Sequence, residues 1–239
     1  MTKKGHINKQ TLLFIKEEIN RVAVENNRNP IDITLVAVTK AFPVSAMISA
    51  YNSNILVMGE SKVQETIEKL PHYPHTNKTE LRLIGHLQSN KSNKAVEIYN
   101  VIETVDSIKI LKKINQSAKN NNKTQRILLQ FNTGKDPAKY GFFEEEKDNV
   151  LEVFLGLNNV KCEGVMTIAP FTNNIDILNQ TFTIAKETQN YIKKQIPTCK
   201  NLSMGMSNDY KIAIKHGATH IRIGTALFGK RIWLLSQNN

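Results

Sequence analysis

Residues 33–58 read ITLVAVTKAFPVSAMISAYNSNILVM. The run from Ile33 to Val38 is short, β-branched and almost wholly apolar, as a strand buried on both faces must be. Pro43 to Asn52 reads as a helix, and Ile55 to Met58 as a second strand. Strand, helix and strand in so short a span make a βαβ unit, with parallel strands joined by a crossover helix.

Working outward, the unit repeats. Val63 to Leu70 reads as a helix, Leu81 to Ile84 as a strand, and Ala95 to Tyr99 as a helix. Val101 to Val105 precedes a helix over Ser107 to Asn120, and Arg126 to Phe131 precedes one near Phe143 to Leu157. Val160 to Ile168 is followed by Ile175 to Ile196, and Asn201 to Met204 by Asp209 to His216. The eighth strand is Thr219 to Ile223, with a helix from Ala226 onward. At the other end, Leu12, Ile15, Ile19 and Val22 recur at helical spacing within Ile7 to Asn27, so an amphipathic helix precedes the first unit. Asn29-Pro30 breaks it.

Eight strand–helix pairs in roughly 200 residues predict an α/β protein with a closed (β/α)₈ barrel, the TIM-barrel architecture. An open doubly wound sheet would more often show five or six. No GxGxxG follows the first strand and no GxxxxGK[ST] occurs, so the usual dinucleotide and nucleoside-triphosphate signatures are missing. No linker interrupts the pattern, and ten residues follow Gly229. A single domain over residues 1–239 is therefore expected.

Composition agrees. Of 239 residues, 40% are hydrophobic and 22% charged, which excludes a disordered chain. No apolar run approaches the ~18 residues of a membrane span, and the first residues contain no apolar signal core. Two cysteines, Cys162 and Cys199, are too few for a disulfide framework and suit a reduced, cytoplasmic setting. The net charge of +11 invites a nucleic-acid reading, but the lysines are scattered and no run of five like charges occurs. An acidic or phosphorylated small ligand makes better use of local positive charge.

A (β/α)₈ barrel carries its active site at the C-terminal ends of its strands. Those ends deliver Lys40, Gly59-Glu60-Ser61, Gly85-His86, Asp106, Asn132, Met166-Thr167, Ser203 to Ser207 and Gly224-Thr225. An ammonium at the end of a buried strand loses hydration, which makes its neutral amine more available as a nucleophile. Lys40 is thus a candidate Schiff-base lysine; the alternative is a lysine that snorkels to solvent. Ser207 reads as the N-cap of a helix, with Asn208 and Asp209 in its first turn. Gly224-Thr225 opens another helix. The loops after strands seven and eight often hold phosphate in such barrels. Plain capping and tight turns are the competing explanation. Lysine on strand one with a phosphate cup after strands seven and eight suggests a phosphorylated aldehyde anchored at both ends. Arg222, between Ile221 and Ile223, would point into the barrel toward a ring nitrogen.

Other residues weigh less. His72, His75 and His86 lack metal-ligand spacing. Cys162 reads as a core residue, and Met166, Met204 and Met206 as packing. Among Glu60, Glu103 and Asp106, a carboxylate beside a mouth lysine is more often an ion-pair partner than an acid catalyst.

Six motifs carry a resemblance: LVAVTK (35–40), VMGESKVQE (57–65), IGHLQSNK (84–91), GVMTIAP (164–170), LSMGMSND (202–209) and IRIGTALFG (221–229). In this order they resemble the YggS (PROSC) family of pyridoxal 5′-phosphate homeostasis proteins, over Ile7 to Gly229. The resemblance implies a single barrel with an added N-terminal helix, similar to the barrel domain of alanine racemase (fold type III of enzymes using this cofactor). It implies that Lys40 holds pyridoxal 5′-phosphate as a Schiff base, and that Ser203, Ser207, Gly224 and Thr225 surround its phosphate. Arg222 matches the arginine facing the pyridine nitrogen, where a second positive charge disfavours ring protonation. The implied role is vitamin B6 homeostasis: binding this cofactor and other B6 vitamers and supplying apo-enzymes that use it, with no membrane partner. A low-activity amino-acid racemase is the alternative. It needs a second base on the opposite face of the ring, which similar racemases take from an added β domain. Two positions depart from the family pattern. Ser61 stands where Asn is usual after strand two, and Asp136 where Glu is usual in NTGKDPAKYG (132–141).

Overall fold

Strand β1 (Thr34–Val38) pairs in parallel with β2 (Val57–Glu60) on one side and with β8 (His220–Ile223) on the other. First and last strands are therefore neighbours, and the sheet closes. Between them run β3 (Glu80–Leu83), β4 (Val101–Val105), β5 (Gln125–Gln130), β6 (Val160–Met166) and β7 (Asn201–Met206), in chain order. The computed structural model describes residues 5–229. The helix expected from Ala226 onward is described as far as Phe228, and the part of that expectation beyond Gly229 lies outside the described residues.

The outer ring consists of α2 (Val44–Asn52), α3 (Val63–Lys69), α4 (Ser92–Ile98), α5 (Ile108–Asn120), α6 (Lys147–Leu155), α7 (Ile175–Gln195), α8 (Tyr210–Lys215) and α9 (Thr225–Phe228). The added N-terminal helix is α1 (Lys9–Glu25), capped by the Asn8 side chain, which accepts from the N–H groups of Gln10 and Thr11. Its buried residues include the expected Leu12, Ile15, Ile19 and Val22, and it packs on α8 and α9. No helix among the described residues is long and apolar enough to cross a membrane.

The larger apolar layer lies between strands and helices and includes Ile102, Leu129, Val165, Leu202 and Ile221. Inside the barrel the buried apolar cluster is small: Val101, Leu128 and Met166. Charged side chains fill much of the remaining interior, as described below.

Element ends differ from expectation for local reasons. β6 stops at Met166 rather than Ile168, the Thr167 N–H making a last bond to Ser203 O at 3.0 Å before the irregular stretch that leads to Pro170. Proline offers no N–H to a ladder. The helix expected from Phe143 begins at Lys147, after a tight turn in which the Glu146 carboxylate accepts the Phe143 N–H at 2.7 Å. β7 runs on to Met206, and its register against β8 shifts between Ser203 and Met206. Gly205 sits inside that shift with φ +92°, a conformation that disfavours any side chain. The irregularity aims the Met206–Asp209 turn at the barrel mouth.

Candidate functional site

Lys40 lies two residues beyond the end of β1. Its neighbour Thr39 is buried and continues the ladder by donating its N–H to Gly59 O at 3.1 Å. The Thr39 hydroxyl donates to Glu60 Oε1 at 2.7 Å. Lys69, from α3, donates to Thr39 O at 3.0 Å and to Glu60 Oε1 at 2.8 Å, and pairs with Glu65 at 2.6 Å. Glu65 in turn accepts the Ala41 N–H at 2.7 Å. Ala41 has φ +59°, a strained conformation for a residue with a Cβ. Lys40 therefore sits on a bend held from both sides. Burial raises the Glu60 carboxyl above its ordinary value despite Lys69, and Glu60 Oε2 has no hydrogen-bond partner among the described residues.

The β7 and β8 ends supply the opposite wall. Met206 and Asp209 are linked twice: the Met206 N–H donates to Asp209 Oδ1, and the Asp209 N–H to Met206 O at 3.1 Å. The turn between them presents Ser207. Ser207 is not a helix cap, since α8 begins only at Tyr210. Its hydroxyl instead accepts the Ala226 N–H at 3.4 Å, tying the β7 loop to the start of α9. Gly224 lies so close to β1 that a Cβ there would stand 3.2 Å from Val38 Cβ.

Lys40, Ser207, Arg222, Gly224 and Thr225 line one cavity of about 400 Å³ at the barrel mouth. Its size is ordinary for a small-molecule site. Ser203 does not line it. Ser203 lies beneath, wholly buried, donating to Glu103 Oε2 at 2.6 Å and accepting from Arg222 Nη1 at 2.7 Å. Register explains the displacement, because Ser203 lies below the β7 irregularity and Ser207 above it. Arg222 points inward as its alternation predicts, and its Nη2 donates to Thr167 O at 2.8 Å.

Sequence reasoning missed Asp209 as a lining residue, having read it only as first-turn polarity. Burial raises its carboxyl above the ordinary value although the Met206 N–H and Arg222 act the other way. It also missed the β6 loop, of which Ile168 and residues 170–173 line the cavity, with Phe171 almost fully exposed. The GVMTIAP motif ends in that loop and was the available signal. Glu60, Glu103 and Asp106 do not gather: Glu60 pairs with Lys69, Glu103 with Arg82, and Asp106 with His86 Nδ1 at 2.6 Å. Ser61 lies outside the cavity lining, against Gly85, where an added Cβ would stand 2.4 Å from Ser61 O. Asp136 pairs with Lys139 at 3.4 Å, and the Lys139 ammonium also donates to Ala169 O, joining the β5 and β6 loops.

Comparison with known proteins places this geometry. The alanine racemase N-terminal domain family matches residues 19–231. A pyridoxal phosphate homeostasis protein of Haemophilus influenzae is 34% identical over 95% of this chain and 97% of its own. One from Synechocystis is 37% identical over 85% of this chain and 94% of its own. The solved structure of PipY from Synechococcus elongatus with PLP bound superposes with a TM-score of 0.77 at 32% identity, covering 89% of this chain and all of that one (100%). Alanine racemase of Clostridium difficile gives a TM-score of 0.73 at 16% identity over 94% of this chain and 58% of its own, a likeness of fold. The cavity with Lys40 on one wall and the β7 and β8 loops on the other thus stands on the barrel these proteins share, and the chain belongs to the pyridoxal phosphate homeostasis protein family, within the alanine racemase N-terminal domain group.

Proposed function

We propose that this chain binds pyridoxal 5′-phosphate in the mouth cavity and serves cofactor homeostasis. The observation that carries the reading is the convergence of Lys40, Ser207, Arg222, Gly224 and Thr225 on one cavity of about 400 Å³. The donor set fits the cofactor. A primary amine stands on the β1 wall, a guanidinium on the floor, and hydroxyls with converging loop backbone on the β7–β8 wall. Bound there, the cofactor supplies an aldehyde carbon open to attack by an amine. Lys40 provides that amine, and the Thr39–Ala41 bend fixes where it starts. Ser207 and Thr225 orient the phosphate; Ser203, beneath the cavity, reaches the site only through Arg222, whose guanidinium it accepts from. Arg222 stays cationic and keeps a proton off the ring nitrogen, which suits holding the cofactor more than carbanion chemistry. The likeness to alanine racemase, at 16% identity, carries the fold and not the activity.

On this reading residues 1–239 act as one binding domain in the cytoplasm, where the free, buried Cys162 and Cys199 stay reduced. Apo-enzymes that use the cofactor are its recipients. The test is direct. Purified protein should be yellow, borohydride should abolish the band, and mass spectrometry should place the reduced adduct on Lys40. An adduct on another lysine would overturn the assignment.

A further inference from the structure

Charged side chains of alternating sign run up the inside of the barrel. Arg126, on β5, bonds Glu163 Oε2 through Nε at 2.9 Å and Glu80 Oε2 through Nη1 at 2.8 Å. Glu80 Oε1 accepts Arg82 Nε at 2.6 Å, and Arg82 Nη1 reaches Glu103 Oε1 at 2.8 Å. Glu103 Oε2 accepts the Ser203 hydroxyl at 2.6 Å, and the Ser203 oxygen accepts Arg222 Nη1 at 2.7 Å. Three carboxylates and three guanidiniums thus form one chain that ends at the cavity floor. Glu103 and Ser203 are wholly buried; Arg82 and Arg222 are nearly so.

The single proton of Ser203 decides the last link. A hydroxyl can donate once and accept with its lone pairs. The charged Glu103 oxygen takes that proton, so the hydroxyl presents a lone pair, and not its proton, to Arg222. We propose that Glu103, acting through Ser203, is the positioning residue that fixes the Arg222 guanidinium at the cavity floor, where it would face the cofactor, and offsets its charge there. This inference rests on the cofactor reading above and extends it to a residue outside the cavity.

The electrostatics support the geometry. Burial would raise the Glu103 carboxyl, but Arg82, from β3, and Arg222, from β8, outweigh it and hold Glu103 below its ordinary value. His220, also on β8, is the other titratable group facing Glu103. Asp209, after β7, is the second carboxylate facing Arg222. Removing the Glu103 charge leaves Asp209 as the remaining carboxylate acting on Arg222 among the described residues, so the floor becomes more positive.

Glu103→Gln and Ser203→Ala separate charge from position. The bound cofactor's visible band is titrated with pH, and cofactor affinity is measured by equilibrium dialysis. In Glu103→Gln the midpoint should fall by about one pH unit, the effect of one charge some ~10 Å away at an effective dielectric near 20. In Ser203→Ala all six charges remain, so the midpoint should move less while affinity falls about tenfold. The double variant should show no more affinity loss than the worse single one, because both break one path. Unchanged midpoint and affinity in a folded Glu103→Gln protein would overturn the inference. If that variant does not fold, wild-type affinity in Ser203→Ala overturns it alone. A wild-type protein that takes up no pyridoxal 5′-phosphate would instead overturn the binding reading itself, and this inference with it.

Discussion

Lys69 donates through Nζ to the carbonyl oxygen of Thr39 at 3.0 Å, so the residue before Lys40 is fixed by a lysine thirty positions away in sequence. The same ammonium neutralises the fully buried Glu60. One side chain therefore shapes the bend on which the proposed cofactor lysine stands and makes a buried carboxylate tolerable.

Lys69→Met should accordingly destabilise the fold by about 3–5 kcal/mol, the usual cost of leaving a buried charge unpaired. Urea unfolding measures it. Adding Glu60→Gln should recover much of the loss, since Gln keeps an acceptor for the Thr39 hydroxyl without a charge. No recovery in the double variant would show that the ion pair is not the source of the effect.

Thr225→Glu should weaken cofactor retention at least tenfold without unfolding the protein, because Thr225 is exposed and faces the cavity. A carboxylate there repels the phosphate. Pyridoxal, which lacks the phosphate, should bind wild type weakly and be little affected by the substitution. Equal wild-type affinity for both vitamers would show that the β7 and β8 loops do not hold the phosphate.

Acid should expose His220. Burial, reinforced by Arg82, lowers its pKa from 6.5 to about 4. Between those values the unfolded chain binds a proton that the folded chain does not, so stability falls as pH drops from 6.5 toward 4. The loss attributable to this residue is up to about 3 kcal/mol. Glu60, raised by burial, acts in the opposite sense above its ordinary value, so the comparison is between wild type and His220→Asn at each pH. The variant should show a flatter acid limb; an identical slope would remove His220 as the cause.

Turnover separates a cofactor carrier from a racemase. An efficient enzyme turns over at ~1–10³ per second and needs placed acid and base groups. Cofactor-loaded protein should racemise or transaminate an amino-acid panel far more slowly, yet transfer cofactor to an apo-transaminase. Chiral derivatisation and recovered transaminase activity are the two readouts. Sustained turnover near enzyme rates on any one amino acid would favour the racemase alternative.

By itself the sequence determined the architecture, the order of the strands and the identities of Lys40, Ser207, Arg222, Gly224 and Thr225 as cavity-lining residues, though not the exact ends of β6 and β7. It could do so because buried parallel strands are continuous apolar runs, and a barrel puts every strand's C-terminal end on one face. The inward direction of Arg222 was equally legible, since alternation along a strand is a local property. Tertiary structure alone decided that Ser203 lies beneath the cavity rather than in it, that Asp209 and the 168–173 loop line it, and that Lys69 holds the Lys40 bend. It alone decided, too, that Arg82, Glu103 and Ser203 lead to Arg222. Those relationships depend on how strands distant in sequence are staggered around the barrel and where β7 slips against β8. Stagger is set by the closure of the whole sheet, and no local stretch of residues encodes it.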